Sequence, residues 1–458
     1  MKRESSRREF LAGASGAVAL PAVSYSKVNG ANARIGIGVI GYGLIGKKHV
    51  STFRALDQCE IVAISDVHRG RVAEGIAASG GNPTGYADFR KLLEDKRVEG
   101  VIVATPDHWH APMTMLACAA GKDAYVEKPM TLFVREGEWV NAVAERTKRV
   151  VQVGTQQRSG THYQKARELI RSGHIGKVTS VRITHSRNIV PGFGRPPDGD
   201  PPAELDWNLW LGPVPSRKYN PLRGIYHFRW FWDTAGGQMT NLTSHELDIV
   251  DWILGLETLT GVASIGGRFV LNDLTETPDT QDTLFRLKDY TVSSTIRETS
   301  LGPPRFGTEF FGTKGSLAIT RMGFTVTADP DEPPEARIPG IQGGHPVGGP
   351  KATAIPKSGK RRTTPIDDRS GDSDEQYREH ARNFLDCIRS RKQPVSDAAS
   401  GHRTATACHL ANISLRLGRM LTWDANAKRI ADVAEANGQL TRPYRSPWDR
   451  ELAALGVG

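Results

Sequence analysis

Short apolar runs alternate with amphipathic stretches between residues 34 and 153. The runs are rich in β-branched residues, as buried strands are, and the stretches between them have the spacing of helices. We predict strands at 34–40, 60–65, 101–104, 123–126 and 150–153. We predict helices ending near residue 55 and covering 69–78, 112–120 and 133–148. This alternation indicates an α/β fold with a doubly wound parallel sheet.

The pattern changes after residue 150, where strands follow one another with loops between them. We predict strands at 178–186, 259–264, 280–287, 291–296 and 309–319. Mixed strands of this kind indicate an α+β domain with an open, mostly antiparallel sheet. Residues 328–372 are rich in Gly and Pro and predict a long loop. Helices predicted at 377–391 and 401–421 would pack back against the body of the protein.

Residues 1–33 are predicted to be a targeting segment rather than part of the fold. A basic start precedes a moderately apolar stretch from Phe10 to Val23, which is too short to span a bilayer. Ser6 to Leu11 contains Arg7 and Arg8 and resembles the twin-arginine export signal, which carries folded proteins across the bacterial inner membrane. We therefore expect a periplasmic or otherwise exported protein.

Composition excludes several classes of protein. The chain of 458 residues allows two or three domains. Its four cysteines form no CxxC pattern, so we expect buried thiols rather than a disulfide framework or a metal site. The net charge of +10 is spread along the chain without interleaved aromatic residues, which argues against nucleic-acid binding. No apolar run reaches the ~18 residues of a membrane span, so we expect no stable membrane insertion after the leader is removed.

A glycine motif lies between the first predicted strand and the first predicted helix. Gly41 permits a tight turn, Gly43 lets the backbone approach a pyrophosphate, and Gly46 lets the helix and strand pack closely. The helix start at Leu44 and Ile45 offers free N–H groups to phosphates.

Asp66 lies 20 residues after Gly46, at the end of the second strand, where it can bind the ribose hydroxyls. A carboxylate there favours NAD over NADP, although the nearby Arg69 and Arg71 keep NADP open as an alternative.

Three further segments follow predicted strands, where ligands of open α/β sheets bind. They are Ala104 to His110, the triplet Glu127-Lys128-Pro129, and Gly154 to Arg158. With these motifs, the chain from Arg34 to Trp423 resembles the glucose–fructose oxidoreductase and inositol dehydrogenase family, also called Gfo/Idh/MocA.

The resemblance implies a domain organisation and a cofactor site. Residues 34–150 would be the Rossmann dinucleotide-binding domain, 151–423 an α+β domain for substrate and oligomer contacts, and 424–458 a C-terminal tail. Homo-dimers or homo-tetramers through the open sheet are implied. The cofactor contacts beyond the glycine motif would be Thr105, Pro106, His110, Glu127, Lys128 and Gln156.

Two residues are candidates for catalysis. Lys128 can hold a substrate hydroxyl, and burial would lower its pKa enough for proton transfer. His245 is the second candidate base, because imidazole titrates near neutral pH. We assign proton transfer to His245 and positioning to Lys128, and the reverse assignment stays open. The usual family pattern is Asp-x-Gly-x-His, but this chain has Asn241 and Thr243 in the first two named positions.

Substrate contacts are predicted from residues that suit sugars, because aromatic faces pack on sugar rings and polar groups bond hydroxyls. They are Gln156, Arg158, Tyr226, His227, Arg229, Trp230, Trp232, Asp233, Asn241 and His245. No metal is expected, since His108 and His110 have no further ligand at suitable spacing.

Three functions are compatible with these residues. The first is an NAD(P)-dependent dehydrogenase that acts on a hydroxyl of a sugar or polyol. The second is a redox-neutral sugar enzyme that oxidises, eliminates and returns the hydride, and the third is a cofactor-binding protein without catalysis. Export favours a tightly bound cofactor, because the periplasm does not regenerate free NAD.

Replacing Arg7 and Arg8 with Lys is expected to keep the protein in the cytoplasm, because the export signal depends on the arginine pair. Cell fractionation and immunoblotting would measure this, with Arg3→Lys as a control outside the pair. Normal export of the double variant would refute the interpretation.

Overall fold

The computed structural model describes residues 34–302, 306–331 and 359–457. The predicted targeting segment at 1–33 and residues 332–358 of the predicted loop lie outside the described residues. In the described part, no helix is both long enough and apolar enough to cross a membrane. All four cysteines are buried free thiols, as predicted.

The first domain is a six-stranded parallel sheet with the strand order β3-β2-β1-β4-β5-β6, which confirms the predicted doubly wound fold. Its central strand is buried along its whole length, because helices cover both faces. The strands are β1 (Ile35–Ile40), β2 (Cys59–Ser65), β3 (Thr84–Tyr86), β4 (Gly100–Val103), β5 (Asp123–Val126) and β6 (Val151–Val153). The helices are α1 (Leu44–Arg54), α2 (Arg69–Ala78), α3 (Phe89–Glu94), α4 (Asp107–Ala119) and α5 (Val134–Thr147).

Helix α4 begins at Asp107, five residues before the predicted start at residue 112. Proline is common at the first position of a helix and rare in its interior, where it removes a hydrogen bond. In the structure Pro106 precedes the helix and Pro112 lies inside it. His108 and His110 therefore belong to a helix rather than to a loop.

The second domain contains a ten-stranded sheet with the order β14-β13-β12-β11-β7-β10-β9-β8-β15-β16. Only β7 and β10 pair in parallel among these described strands, so the predicted mostly antiparallel sheet is confirmed. The strands are β7 (Val178–Ser186), β8 (Gly261–Gly267), β9 (Thr280–Arg286), β10 (Thr291–Arg297), β11 (Phe306–Gly312), β12 (Gly315–Thr320), β13 (Gly323–Ala328), β14 (Ile366–Asp368), β15 (Leu421–Asp424) and β16 (Arg429–Ile430).

The helices of the second domain pack on one face of this sheet or return to the first domain. They are α6 (Thr161–Arg171), α7 (Trp207–Leu211), α8 (Ser244–Leu254), α9 (Ser373–Ser390), α10 (Ala398–Leu417) and α11 (Trp448–Ala453). Helices α6, α8 and α10 share an apolar core with the sheet, so its opposite face is left open.

Two predicted elements of this domain are wrong. The single strand at 309–319 is a hairpin of β11 and β12, because the chain turns between Gly312 and Gly315. Gly315 has a φ of 156°, and a Cβ there would lie 2.2 Å from the Thr327 carbonyl oxygen. The predicted loop at 328–372 contains strand β14, which pairs with β13.

The two domains exchange segments, so the C-terminal part of the chain is not a tail. Helix α9 returns to the first domain, where Phe384 packs edge-on against Phe53 and Tyr125. Trp448, on α11, stacks on Phe89 and meets the edge of Trp109. Each domain therefore completes the core of the other, which fixes their relative position.

Candidate active site

A glycine cradle lies where β1 meets α1. Gly41 has a φ of 93°, and a Cβ there would lie 2.5 Å from the Ala104 carbonyl oxygen. A Cβ on Gly46 would lie 2.0 Å from the Gly41 oxygen, so the packing of the protein itself requires both glycines. At Gly43 the nearest atom would be 3.5 Å away. The space above Gly43 is therefore open for a ligand.

The start of α1 faces this open space. No side chain caps the helix, so the first backbone N–H groups, including those of Leu44 and Ile45, are available to an anion. Both residues line the same cavity. The cradle and helix start fit the pyrophosphate of a dinucleotide.

Asp66 also lines the cavity, at the end of β2. Its carboxylate accepts hydrogen bonds from the backbone N–H groups of Tyr42 and His68, each at 2.8 Å. Burial raises the pKa of Asp66 above its usual range, and these two hydrogen bonds only partly offset it. Arg71 lines the same cavity, so a cation is present beside the carboxylate.

The second domain closes the cavity from above. Thr105 and Pro106 line it from the first domain, while Tyr226 and Arg229 line it from the second. The Arg229 guanidinium is held over the rings of Tyr226 and Phe228, at 5.1 and 4.5 Å from their centroids. The structure thus brings the predicted contacts Tyr226 and Arg229 to the cofactor cleft.

Lys128 follows β5 and reaches across to the second domain. Its Nζ donates to the backbone oxygen of Asn241 at 2.6 Å and to Asn241 Oδ1 at 3.3 Å. Burial lowers the pKa of Lys128 to about 8, against the carboxylates of Glu127 and Asp107, which raise it. At this pKa the amine can both take up and release a proton near neutral pH.

Glu127 lies directly behind Lys128 and is buried. Its Oε1 is 2.7 Å from His49 Nε2, and its Oε2 accepts from the Lys128 backbone N–H at 3.3 Å. Burial opposes ionisation of Glu127, but the hydrogen bond and charge of His49 outweigh it and lower the pKa. This arrangement suits Glu127 to support Lys128.

His245 lies in the first turn of α8, directly after a single π-helical turn at Met239–Thr243. The imidazole is buried, and its Nδ1 has no hydrogen-bond partner among the described residues. Burial and the charges of Lys128 and Arg321 hold the pKa of His245 well below its usual value. Burial thus favours the neutral ring, which can accept or donate a hydrogen bond to a substrate hydroxyl, and both His245 and Lys128 stay candidates for proton transfer.

Comparison with known proteins identifies the family. A family model described as an oxidoreductase family with an NAD-binding Rossmann fold matches residues 35–155. A second, described as the C-terminal alpha/beta domain of the oxidoreductase family, matches 159–264 and 366–450. A third, the C-terminal domain of the same group, matches 214–318.

The chain belongs to the Gfo/Idh/MocA oxidoreductase family.

Curated relatives share about 30% identity. Inositol 2-dehydrogenase 2 of Saccharopolyspora erythraea is 30% identical over 254 residues, which are 54% of this chain and 61% of the relative. Myo-inositol 2-dehydrogenase of Thermotoga maritima is 27% identical over 224 residues, which are 48% and 55%. The chain thus spans little more than half of these dehydrogenases.

An oxidoreductase of Bacillus subtilis, YrbE, is 27% identical over 285 residues, which are 61% of this chain and 72% of the relative. Among solved structures, levoglucosan dehydrogenase in complex with NADH and levoglucosan is 18% identical, with a TM-score of 0.64, over 85% of this chain and 99% of that one. That likeness shows the shared fold.

Two of the predicted substrate contacts, Arg158 and Asp233, form ion pairs within the protein. Arg158 is buried and donates to both Asp248 oxygens at 2.7 Å and to Asp251 at 3.2 Å. Asp233 pairs with Arg217. The buried charge of Arg158 needs such partners, so we assign Arg158 to the framework, which corrects our prediction. Asp233 is only half-buried, and its contact with substrate stays a prediction.

Three other candidates are held by the protein. The two ring nitrogens of His110 lie 2.6 Å from the Pro129 oxygen and 2.9 Å from the Thr105 oxygen, so His110 ties the start of α4 to the turn after Lys128. Trp230 is buried and donates its ring N–H to Glu298. Trp232 lies under the Arg416 guanidinium, 5.4 Å from its ring centroid.

The remaining candidates have free groups or an open position. Gln156 is buried, and its Oε1 has no partner among the described residues. His227 is half-buried and packs on Phe193. No group of three His, Cys, Asp or Glu side chains in the described ranges could hold a metal ion.

Sequence reasoning missed several residues of the site. His49 is three residues after Gly46, but nothing in the sequence indicates that it meets Glu127. Arg321 acts on both Lys128 and His245 from the turn after β12. Both contributions depend on contacts between segments that are far apart in the sequence.

Replacing Asp66 with Ser is expected to lower the affinity for NAD and to reduce the preference for NAD over NADP about tenfold, because the carboxylate that repels a 2′-phosphate is lost. Isothermal titration with each cofactor would measure the two dissociation constants. Arg71→Ala is the control, and it should change the preference in the opposite direction. An unchanged preference in Asp66→Ser would contradict this role.

Proposed function

We propose that the protein transfers a hydride between a nicotinamide cofactor and the hydroxyl-bearing carbon of a sugar or polyol. The observation that carries this proposal is Lys128, which follows β5 and has a pKa of about 8. It lies close enough to Arg229, which lines the cavity, for that charge to act on its pKa. The inositol dehydrogenases among its relatives support a polyol or sugar as the substrate. NAD is the proposed cofactor, with NADP as the alternative.

Lys128, Asn241 and His245 have different roles in this reaction. A nicotinamide bound in the cleft would supply the hydride chemistry, and the residues of the chain would hold the substrate hydroxyl and move its proton. Two of the three N–H groups of the Lys128 ammonium donate to oxygens of Asn241. The third N–H of Lys128 is left for the substrate hydroxyl. In its neutral form Lys128 takes the hydroxyl proton, and as the ammonium group it returns a proton in the reverse direction. His245, neutral and without a partner at Nδ1, holds the same hydroxyl by a hydrogen bond.

A redox-neutral sugar reaction is the second candidate, and the predicted export signal favours it. We propose that the protein is exported by the twin-arginine route with a tightly held cofactor. An enzyme without a supply of fresh NAD has to restore its own cofactor within one catalytic cycle. Oxidation of a ring hydroxyl, elimination and return of the hydride would meet that requirement.

We also propose a homodimer or homotetramer assembled through the open face of the large sheet. Ile265 and Leu284 lie on the neighbouring strands β8 and β9, and they are 72% and 61% exposed. Exposed apolar residues on a sheet face favour contact with a partner. The mass of the protein in solution would test the assembly.

Replacing Lys128 with Met is expected to lower kcat about a hundredfold or more, because the proton-transfer group is removed. In the unmodified protein, substrate oxidation should rise with pH with a midpoint near pH 8 and level off at higher pH, as Lys128 becomes neutral. Carbonyl reduction should fall over the same range, since it needs the ammonium form. Lys122→Met is the control, because Lys122 donates to the Asp95 and Val98 carbonyl oxygens away from the cleft.

A pH profile without an inflection near 8, together with an active Lys128→Met variant, would contradict the assignment. Nicotinamide binding measured by fluorescence should be nearly unchanged in Lys128→Met. This separates loss of chemistry from loss of the cofactor.

Denaturing the purified exported protein is expected to release about one nicotinamide dinucleotide per chain, which chromatography and mass spectrometry would identify. Mixing the native protein with a panel of sugars and glycosides, with and without added NAD, then separates the candidates. Net reduction of added NAD indicates a dehydrogenase. Glycoside cleavage without net reduction indicates the redox-neutral reaction, and absence of both would contradict an enzymatic role.

A further inference from the structure

A chain of hydrogen bonds leads from Lys128 to a carboxylate inside the second domain. Lys128 Nζ donates to Asn241 Oδ1 at 3.3 Å, and Asn241 Nδ2 donates to Gln238 Oε1 at 3.1 Å. Gln238 Nε2 then donates to Glu298 Oε1 at 2.8 Å. All three bonds run in the same direction, from the ammonium group to the carboxylate.

The carboxylate sets this direction. A side-chain amide can be turned either way, but an ionised carboxylate only accepts hydrogen bonds. Glu298 therefore requires the NH₂ group of Gln238, which turns the Gln238 oxygen toward Asn241. That oxygen in turn requires the NH₂ group of Asn241, so the Asn241 oxygen faces Lys128. Successive bonds with one direction polarise and strengthen each other in a buried network.

Glu298 is well held at the far end of the chain. It is buried, and its Oε2 accepts from the ring N–H of Trp230 at 2.8 Å. Its Oε1 accepts from Arg187 Nε at 2.8 Å, and the half-buried Arg187 guanidinium compensates its charge. These contacts fix the carboxylate independently of Asn241 and Gln238.

We propose that Glu298 is a positioning residue for Lys128, which it orients through the side-chain amides of Gln238 and Asn241. This inference rests on the proposed function of Lys128 in proton transfer. The polarised Asn241 oxygen stabilises the ammonium form and opposes the effect of burial. The carboxylate thus tunes a proton-transfer group that it does not touch.

Glu298→Gln is expected to lower kcat about tenfold with little change in KM. A neutral amide can donate as well as accept, so the direction of the chain is no longer fixed. The inflection of the pH profile should also fall by about one pH unit, because the ammonium form loses support. Gln238→Met interrupts the chain but leaves the contacts of Glu298 with Arg187 and Trp230, so it should give the same shift in a folded protein.

The matched control is Glu276→Gln. Glu276 pairs with Arg223 and accepts a hydrogen bond from the Trp232 backbone N–H at 2.9 Å. Its side chain has no described hydrogen bond to Asn241, Gln238 or Glu298. It should leave the inflection where it is. Asn241→Asp in the Glu298→Gln background places a carboxylate beside Lys128 and should raise the inflection again.

A titration that does not depend on turnover separates this inference from the proposed function. NMR of protein labelled at the lysine Cε carbons follows the Lys128 signal, assigned by its absence in Lys128→Met. A lower Lys128 pKa in both Glu298→Gln and Gln238→Met supports the inference, even if no substrate is turned over. Unchanged titration in both variants, or an equal shift in Glu276→Gln, would overturn it.

Discussion

The placement of one half-buried ammonium group at the junction of two domains is the constraint on which the site depends. Lys128 comes from the end of a Rossmann strand, but the oxygens that hold its charge belong to Asn241 in the second domain. A cation withdrawn from water without acceptors would be destabilising. The end of β5 and the π-helical turn before α8 must therefore stay in contact, and the cleft between the domains takes its shape from that contact.

The same cation determines what its neighbours can do. Burial, with the charges of Lys128 and Arg321, holds the pKa of His245 well below its usual value. Burial, with the charges of Arg229 and Arg321, lowers the pKa of Lys128 itself. Glu127, held by His49 on the opposite side, limits that decrease. The pKa of Lys128 thus depends on opposing effects: burial and neighbouring cations lower it, and neighbouring carboxylates raise it. Removing any one of these groups would change the pKa. His245 is therefore a weaker base than Lys128 here, although a free imidazole titrates close to neutral pH.

Prediction from sequence succeeded where the signal was local. The alternation of strands and helices, the glycine cradle and Asp66 each follow from residues within one βαβ unit, and the structure brings them to one cavity. Prediction from sequence failed where the role of a residue depends on a partner far away in the chain. Arg158 suits a substrate hydroxyl as well as it suits a carboxylate, and its partner Asp248 lies 90 residues away. The hairpin of β11 and β12 was missed because glycine occurs within strands as well as in turns. The early start of α4 was missed because Pro112 lies inside the helix rather than at its first position.

The chain departs from the usual family pattern at Asn241 and Thr243, and Asn241 nevertheless contacts Lys128. An asparagine at position 241 offers Lys128 two oxygens without adding a negative charge next to it. With a carboxylate in direct contact, the ammonium form would be stabilised more strongly, and the pKa of Lys128 would lie further above neutral. Placing the charge at Glu298, beyond two amides, keeps the ammonium group oriented while its proton can still be released. The substitution is therefore consistent with a lysine that exchanges protons near pH 8 rather than one that only holds the substrate.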